Sequence, residues 1–141
     1  MTSELQHYRL DRTGRPPLEF EGEFLSDGQG YGFVDERGRN PRWHDLELYR
    51  TKSGKYVLGV RYTTEWKDEI GHDEVFVLDG PEDVKAALRD MDPTEHVAGF
   101  PDAPQWVKKQ ARLLHDVRVR FARTVSDLFS GLGPEFSERV E

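Results

Sequence analysis

Residues 43–63 read WHDLELYRTKSGKYVLGVRYT, and this stretch decides the fold. Two runs rich in aromatic and β-branched residues, Trp43 to Thr51 and Lys55 to Thr63, flank a short polar segment that contains Gly54. Glycine readily adopts the positive φ angle that a short bulged turn requires. The stretch therefore predicts a β-hairpin.

Further strands are predicted on both sides of this hairpin. Gln6 to Leu10 and Leu18 to Leu25 read as two strands joined by a turn, and in the second strand apolar residues alternate with glutamates. This alternation is typical of a strand with one face in solvent. The glycine-rich segment Ser26 to Pro41 predicts a long loop, and Glu74 to Leu78 predicts a short, largely buried strand.

Two helices follow the strands in the sequence. The first is predicted to begin at Asp79-Gly80-Pro81 and to end near Asp92-Pro93, because proline suits a first turn and disfavours a helix before it. The second is predicted to begin with Asp102 as its cap and to end near Gly131. Its apolar residues recur at helical spacing, namely Val107, Ala111, Leu114, Val117, Phe121, Val125, Leu128 and Leu132.

Strands first and helices last predict an α+β fold. We expect a mostly antiparallel sheet of about five strands, with a short helix and a long C-terminal helix packed across one face. The chain of 141 residues has the length of one domain, for which we expect residues 1–132 with a flexible C-terminal tail at 133–141. Trp106, Leu113 and Phe129 lie partly off the main apolar stripe of the long helix, which leaves homodimer formation through this helix open.

The composition excludes several classes of protein. The chain has no cysteine, which rules out disulfides, zinc–thiolate sites and thiol nucleophiles. Its first residues lack the apolar segment of a signal peptide, and its longest apolar runs are only strand-sized. We therefore expect a cytoplasmic protein without a membrane-spanning segment.

Charge is divided along the chain, although the net charge is −7. Residues 37–61 carry seven Lys or Arg and two acidic residues, a balance of +5. Residues 65–102 carry twelve acidic residues and three basic ones, a balance of −9, and residues 104–123 carry six basic residues and one acidic one, a balance of +5. Such segments either neutralise one another across the fold or form a bipolar surface that steers a partner.

One motif suggests nucleic-acid binding. Gln29-Gly30-Tyr31-Gly32-Phe33-Val34 resembles the aromatic strand of cold-shock domains and the octamer of RNA-recognition motifs, although Gln29 replaces the usual Lys or Arg. The resemblance implies bases stacked on Tyr31 and Phe33. Neighbouring arginines and Trp43 would suit a groove for phosphates and bases.

The predicted partner-binding residues combine this motif with the acidic segment. They are Tyr31, Phe33, Arg37, Arg39, Arg42, Trp43, Trp66, Asp68, Glu69, Asp73 and Glu74. His72-Asp73-Glu74 holds metal-ligand types, but contiguous residues of a strand point to alternate faces. We therefore predict no metal site, no cofactor and no catalytic residues.

These observations favour a non-enzymatic accessory or regulatory protein that binds a macromolecular partner, most simply a protein. In one form of this hypothesis the acidic surface acts as an inhibitor by imitating phosphates. Two alternatives stay open. One is a single-stranded nucleic-acid-binding domain that uses Gly30 to Val34, and the other is an enzyme or small-molecule-binding protein with a pocket between the sheet and the long helix.

Overall fold

The computed structural model describes residues 5–32, 41–138 and 140. Within these residues it contains a five-stranded sheet and two α-helices, so the predicted α+β fold is confirmed. The strands are β1 (Gln6–Arg12), β2 (Arg15–Gln29), β3 (Arg42–Thr51), β4 (Tyr56–Thr64) and β5 (His72–Leu78). The helices are α1 (Pro81–Asp90) and α2 (Val107–Ser130), and short 3₁₀ helices span Pro104–Trp106 and Pro134–Phe136.

The sheet is an antiparallel meander with the strand order β1-β2-β3-β4-β5. It curls until its two edge strands meet at one corner, where the Thr13 backbone NH donates to the Asp73 carbonyl over 2.8 Å. The Asp73 NH in turn donates to the Thr13 hydroxyl over 2.8 Å. The curl gives the sheet an inner face and an outer face, and both helices cover the outer face.

The predicted hairpin is confirmed as β3 and β4. Its turn is closed by the Gly54 NH, which donates to the Thr51 carbonyl over 2.9 Å, and Gly54 has a φ angle of +91°. In the register that this turn sets, Leu48 pairs with Leu58. Both leucines therefore point at the helices, where they are fully buried.

Apolar side chains gather on both faces of the sheet. The outer face joins the helices in a core formed by Leu46, Leu48, Tyr56, Leu58, Val60, Val84, Leu88, Phe121 and Leu128. On the inner face, the Tyr49 ring meets Tyr8, Phe20 and Phe24, with ring centroids 4.6 to 5.7 Å apart. The apolar residues of the alternating pattern in β2 thus form a small aromatic cluster of their own.

Strand β2 is longer than predicted, because the first part of the expected loop at 26–41 continues the strand to Gln29. A bulge between Phe24 and Ser26 shifts the register, after which Gly28 pairs with Leu46. The glycines here serve close packing rather than a flexible loop. A Cβ atom added at Gly28 would collide with the Thr124 carbonyl oxygen of α2.

The edges of the sheet also differ from the prediction. β1 and β2 extend to Arg12 and Arg15, so the turn between them is short and centres on Gly14, with a φ angle of +74°. β5 is an edge strand whose residues are only half-buried, and Val77 is exposed. The prediction of a largely buried strand at this position is therefore wrong, because β5 has a neighbouring strand on one side only.

Helix α2 begins later than predicted and covers less of the sheet. Asp102 does not cap it, since a 3₁₀ turn at Pro104–Trp106 precedes it and Trp106 occupies the N-cap position without a side-chain hydrogen bond. Its buried residues are Val117, Phe121, Thr124 and Leu128. The first turns of α2 therefore project beyond the sheet, and Val107 is 62% exposed.

The packed core continues beyond the domain boundary expected at residue 132. Phe136 is buried, and its ring lies edge-on to Tyr56 with the centroids 5.5 Å apart. Ordered packing thus reaches into the segment 133–141 that the sequence predicts as a flexible tail. None of the helices in the described part of the chain is long and apolar enough to cross a membrane.

The contact of α2 with β2 predicts a strong effect of Gly28→Ala. The new methyl group would push the helix away from the sheet, and overpacking of this kind costs about 1 to 3 kcal/mol or more. Gly59→Ala in β4 is the matched control, because its Cβ would lie 3.7 Å from Leu10 Cδ1, an ordinary contact. Urea unfolding measures both variants, and an equal loss of stability in the two would contradict this account.

Candidate functional site

One end of the sheet carries a group of aromatic and arginine side chains, of which Tyr31 and Trp66 are exposed, Trp43 is half-buried and the Arg42 side chain is only 12% exposed. Strand β2 ends there, β3 begins there and β4 ends there. The group consists of Tyr31, Arg42, Trp43 and Trp66, and we call it the aromatic rim. All four were predicted as partner-binding residues from the sequence, and the fold brings them to the same end of the sheet.

Tyr31 and Trp43 form the first half of the aromatic rim. Their rings pack edge to face with the centroids 5.0 Å apart, and the Tyr31 side chain is 64% exposed. The indole NH of Trp43 donates to Asp45 Oδ2 over 3.2 Å. The other carboxylate oxygen of Asp45 accepts from the Gly30 NH over 3.1 Å, so one carboxylate holds both strands beneath this half of the rim.

Arg42 and Trp66 form the second half of the aromatic rim. The Arg42 guanidinium lies over the Trp66 ring, 5.0 Å from its centroid, and Trp66 is 53% exposed. Beneath the indole, Arg42 Nε donates to both oxygens of Glu69 over 2.9 and 2.7 Å. A cation–π contact and a charged hydrogen bond thus fix the same guanidinium from two sides.

Glu69 is the buried anchor of this half, with a side chain only 1% exposed. Besides Arg42, it accepts hydrogen bonds from the Tyr62 hydroxyl over 2.5 Å and from the Thr64 hydroxyl over 3.1 Å. Burial alone would raise the pKa of Glu69, but the hydrogen bonds from Arg42 and Tyr62 outweigh burial and lower it. Glu69 is therefore ionised and fully partnered inside the fold.

His44 connects the aromatic rim with α2. Its ring is buried between Tyr62 and Phe121, at centroid distances of 4.9 and 5.1 Å. Burial, aided by the nearby His96, lowers the pKa of His44 to about 4. The imidazole is therefore neutral at pH 7 and packs as an aromatic ring. Two further histidines, His72 and His96, stack on each other with their ring centroids 4.0 Å apart.

The inner face of the sheet forms a charged cleft of about 420 Å³ next to Tyr31. Six acidic residues and two arginines, Arg9 and Arg61, border it. The register turns the side chains of Glu74 and Arg9 to the outer face, since Glu74 pairs with Val60 and Arg9 pairs with Glu19. Glu47 accepts a hydrogen bond from Tyr49 over 2.6 Å, and burial together with this bond raises the pKa of Tyr49. The six acidic residues are Asp11, Asp27, Asp45, Glu47, Asp73 and Glu74. We call this site the carboxylate cleft.

The acidic residues predicted from the segment 65–102 do not form one surface. Asp68 is exposed, whereas Glu69 is buried and Glu74 is half-buried. Asp73 accepts from Arg61 Nε over 2.8 Å and closes the corner of the sheet with Thr13. The predicted residues Phe33, Arg37 and Arg39 lie outside the described residues.

The expected pocket between the sheet and the long helix is nearly filled. The space that remains there is about 10 Å³, bordered by His44, Tyr62 and Phe121, and it holds at most a single water. Within the described residues, no group of three or more His, Asp or Glu side chains is placed to hold a metal ion.

The carboxylate cleft was missed because its residues are far apart in the sequence. Asp45 and Glu47 alternate with buried leucines in β3, and such alternation places both on one face. Asp27 joins them because it pairs with Glu47, a register that follows the bulge after Phe24. The alternation in β3 could therefore have predicted that Asp45 and Glu47 share a face. The pairing of β3 with β2, which adds Asp27, could not be predicted from the sequence.

Comparison of the chain with models of known protein families, with curated proteins and with solved structures finds no match.

The buried pair of Arg42 and Glu69 predicts a large stability loss in Glu69→Ala. Removing one partner of a buried ion pair costs about 3 to 5 kcal/mol, because the other charge stays buried without compensation. The matched control is Glu21→Ala, which removes an exposed pair with Lys52 and should cost at most about 1 kcal/mol. Urea unfolding measures both, and a loss below about 1 kcal/mol in Glu69→Ala would contradict the anchoring role.

Because burial lowers the pKa of His44, the free energy of unfolding is predicted to depend on pH. The pKa of His44 is about 4 in the folded chain against an ordinary value of 6.5 for histidine, so the unfolded chain takes up the proton first. The free energy of unfolding should therefore fall by roughly 3 kcal/mol as the pH drops from 6.5 towards 4. Denaturant unfolding at several pH values should show a correspondingly smaller fall in His44→Leu.

The control for this experiment is His115→Leu, on an exposed position of α2. It leaves the burial of His44 unchanged and should keep the pH dependence of the natural chain. Parallel curves for the natural chain and His44→Leu would show that other groups cause the acid sensitivity.

Proposed function

We propose that this chain is a non-enzymatic accessory or regulatory protein of the cytoplasm that binds a protein partner. The aromatic rim and the carboxylate cleft beside it form the binding surface. A basic segment of the partner, rich in Lys or Arg, is the chemistry that this surface favours. The observation that carries the proposal is the exposure of Tyr31 and Trp66 while other side chains hold each ring in place.

The residue types of the aromatic rim support a protein interface. Tyr, Trp and Arg are the side chains most enriched at the energetic centres of such interfaces. Each exposed ring already has an ordered neighbour, Trp43 for Tyr31 and Arg42 for Trp66. Little side-chain entropy would be lost on binding, since the rings are positioned beforehand.

The charge of the cleft supports a basic partner. Five carboxylates face the cleft against the guanidinium group of Arg61, a balance of −4; they belong to Asp11, Asp27, Asp45, Glu47 and Asp73. Lysine and arginine side chains are attracted by such a surface and also by the faces of aromatic rings. Phosphates would be repelled by the same carboxylates, which favours a protein over a single-stranded nucleic acid as the partner.

The regulatory form of the proposal rests on the same surface. A concave acidic surface with aromatic edges can occupy a site where a partner otherwise receives an anionic ligand, as the inhibitor hypothesis requires. In this form the relevant carboxylates are Asp27 and Glu47 of the cleft. Glu69 and Asp73 contribute to the stability of the fold instead, through Arg42 and Arg61.

The direct test is binding of three labelled probes, namely a nonalysine peptide, a nonaglutamate peptide and a ten-residue oligothymidylate. We expect the lysine peptide to bind and the glutamate peptide not to bind. Tyr31→Ala combined with Trp66→Ala should weaken binding at least about tenfold, since each interface centre contributes about 1 kcal/mol or more. Val77→Ala, exposed on β5, is the matched control.

The natural chain, the double variant and Val77→Ala then serve as baits in capture from a cell lysate treated with nuclease. A stoichiometric protein retained by the natural chain and by Val77→Ala, but lost by the double variant, is the expected result. Binding of the oligothymidylate that is lost in the double variant would replace the proposal with nucleic-acid binding. If the natural chain, the double variant and Val77→Ala bind every probe equally well, the aromatic rim is not a binding surface.

A further inference from the structure

Helix α2 carries a second apolar stripe, rotated by one residue from the stripe that packs on the sheet. At about 100° per residue, seven positions of this stripe lie within about 40° of a common direction. Arg118, at the centre, is the only charged residue among them. The stripe consists of Val107, Ala111, Leu114, Arg118, Ala122, Val125 and Phe129.

The second half of this stripe borders a groove between α1 and α2. The groove has a volume of about 800 Å³ and an apolar floor formed by Leu88, Met91, Val125 and Phe129, among others. Lys85 on its edge is already paired with Glu82 over 3.1 Å. The groove is thus an apolar trough on the outer surface of the domain.

The first half of the stripe lies on the projecting part of α2. Val107 and Ala111 are exposed there, and burial against the sheet begins only at Val117. One half of the stripe is therefore a free helical ridge, and the other half lines a groove. The two halves have the complementary shapes that an interface between two copies needs.

The spacing of the stripe is the same in both directions. Counted from Val107, the steps are 4, 3, 4, 4, 3 and 4 residues, which is symmetric about Arg118. In an antiparallel pair of α2 helices related by a two-fold axis at Arg118, Val107 would lie opposite Phe129 of the second copy. Ala111 would lie opposite Val125, and Leu114 opposite Ala122. This self-complementarity is what a two-fold interface requires.

The charges of the two halves also match. The projecting half carries Lys108, Lys109 and Arg112 before the first acidic residue of the helix, Asp116. The groove is lined by Asp90, Asp92 and Glu138 and also by Lys85, Arg89 and Arg118. Lys85 pairs with Glu82 and Arg89 pairs with Asp90, which leaves Asp92 and Glu138 against Arg118. A second copy would therefore bring basic side chains over a groove whose remaining charges sum to −1, which favours association weakly.

We propose that the chain forms a two-fold symmetric dimer in which the projecting half of each α2 lies in the α1–α2 groove of the other copy. The alanines at 111 and 122 allow the two helices to approach closely, at the 8 to 10 Å between axes that is usual for packed helices. The proposal is independent of the aromatic rim, because it uses neither the rim nor the carboxylate cleft.

The natural absence of cysteine makes a direct test available. Arg118→Cys would place two thiols at the two-fold axis, at a Cα separation within the roughly 7 Å that a disulfide allows. We expect mild oxidation to convert most of this variant into a covalent dimer at low protein concentration. Asp116→Cys, exposed on the opposite side of α2, is the matched control and should stay largely monomeric on denaturing gels.

Sedimentation of the cysteine-free chains completes the test. The natural chain should dimerise with increasing concentration, and Ala122→Glu should weaken dimerisation at least about tenfold, because a long side chain opposite Leu114 of the second copy would push the two helices apart. Val119→Glu, an exposed position of α2 outside the stripe, should dimerise like the natural chain.

The proposal is overturned if the natural chain stays monomeric up to about 100 µM, a concentration at which a micromolar dimer would be nearly complete. It is also overturned if Asp116→Cys cross-links as readily as Arg118→Cys, or if Ala122→Glu dimerises unchanged while circular dichroism shows that it is folded.

Discussion

The structure depends on the close approach of α2 to the glycine-rich end of β2. A side chain at Gly28 would collide with the Thr124 carbonyl, so the two backbones meet directly at this glycine. Beside it, the Ser26 hydroxyl donates to the Leu128 carbonyl over 2.7 Å. This approach brings Leu128 into full burial against the sheet and Phe121 against His44. Close packing of this kind leaves only about 10 Å³ between α2 and the sheet beside His44, room for a single water at most.

The surface features lie where this packing ends. On the inner side, the aromatic cluster around Tyr49 covers one part of the sheet, and the cleft bordered by acidic residues occupies another. At the end of the sheet, Glu69 stabilises Arg42 from below and thereby supports Trp66 above it. Desolvating such an ion pair is costly, and three hydrogen-bonding partners are needed to offset it. The consequence is an exposed indole on a rigid support.

The sequence predicted what depends on local patterns and missed what depends on contacts between distant segments. The hairpin around Gly54, the alternation in β2 and the helix α2 follow from local patterns and are confirmed. The apolar stripe of α2 is confirmed only in its second half, because Val107 and Ala111 are exposed. The extension of β2 was missed because glycines that allow close packing look the same in sequence as glycines of a loop. Glu69 was predicted as part of an acidic surface, since nothing in a single sequence reveals that Arg42, 27 residues earlier, would bury it. Phe136 likewise looked like part of a tail, because its partner Tyr56 is 80 residues away.

The two proposed surfaces are arranged so that one does not obstruct the other. The aromatic rim and the carboxylate cleft occupy the inner side and one end of the sheet, whereas the second stripe of α2 faces outward from the helices. A dimer formed through α2 would therefore carry two rims and two clefts, both still open to solvent. Two linked sites raise the effective concentration of each for a partner with repeated basic segments, so weak binding at one rim becomes strong binding at two. A monomer with the same rim would gain nothing from such repeats, and the oligomeric state thus determines which partners the surface can select.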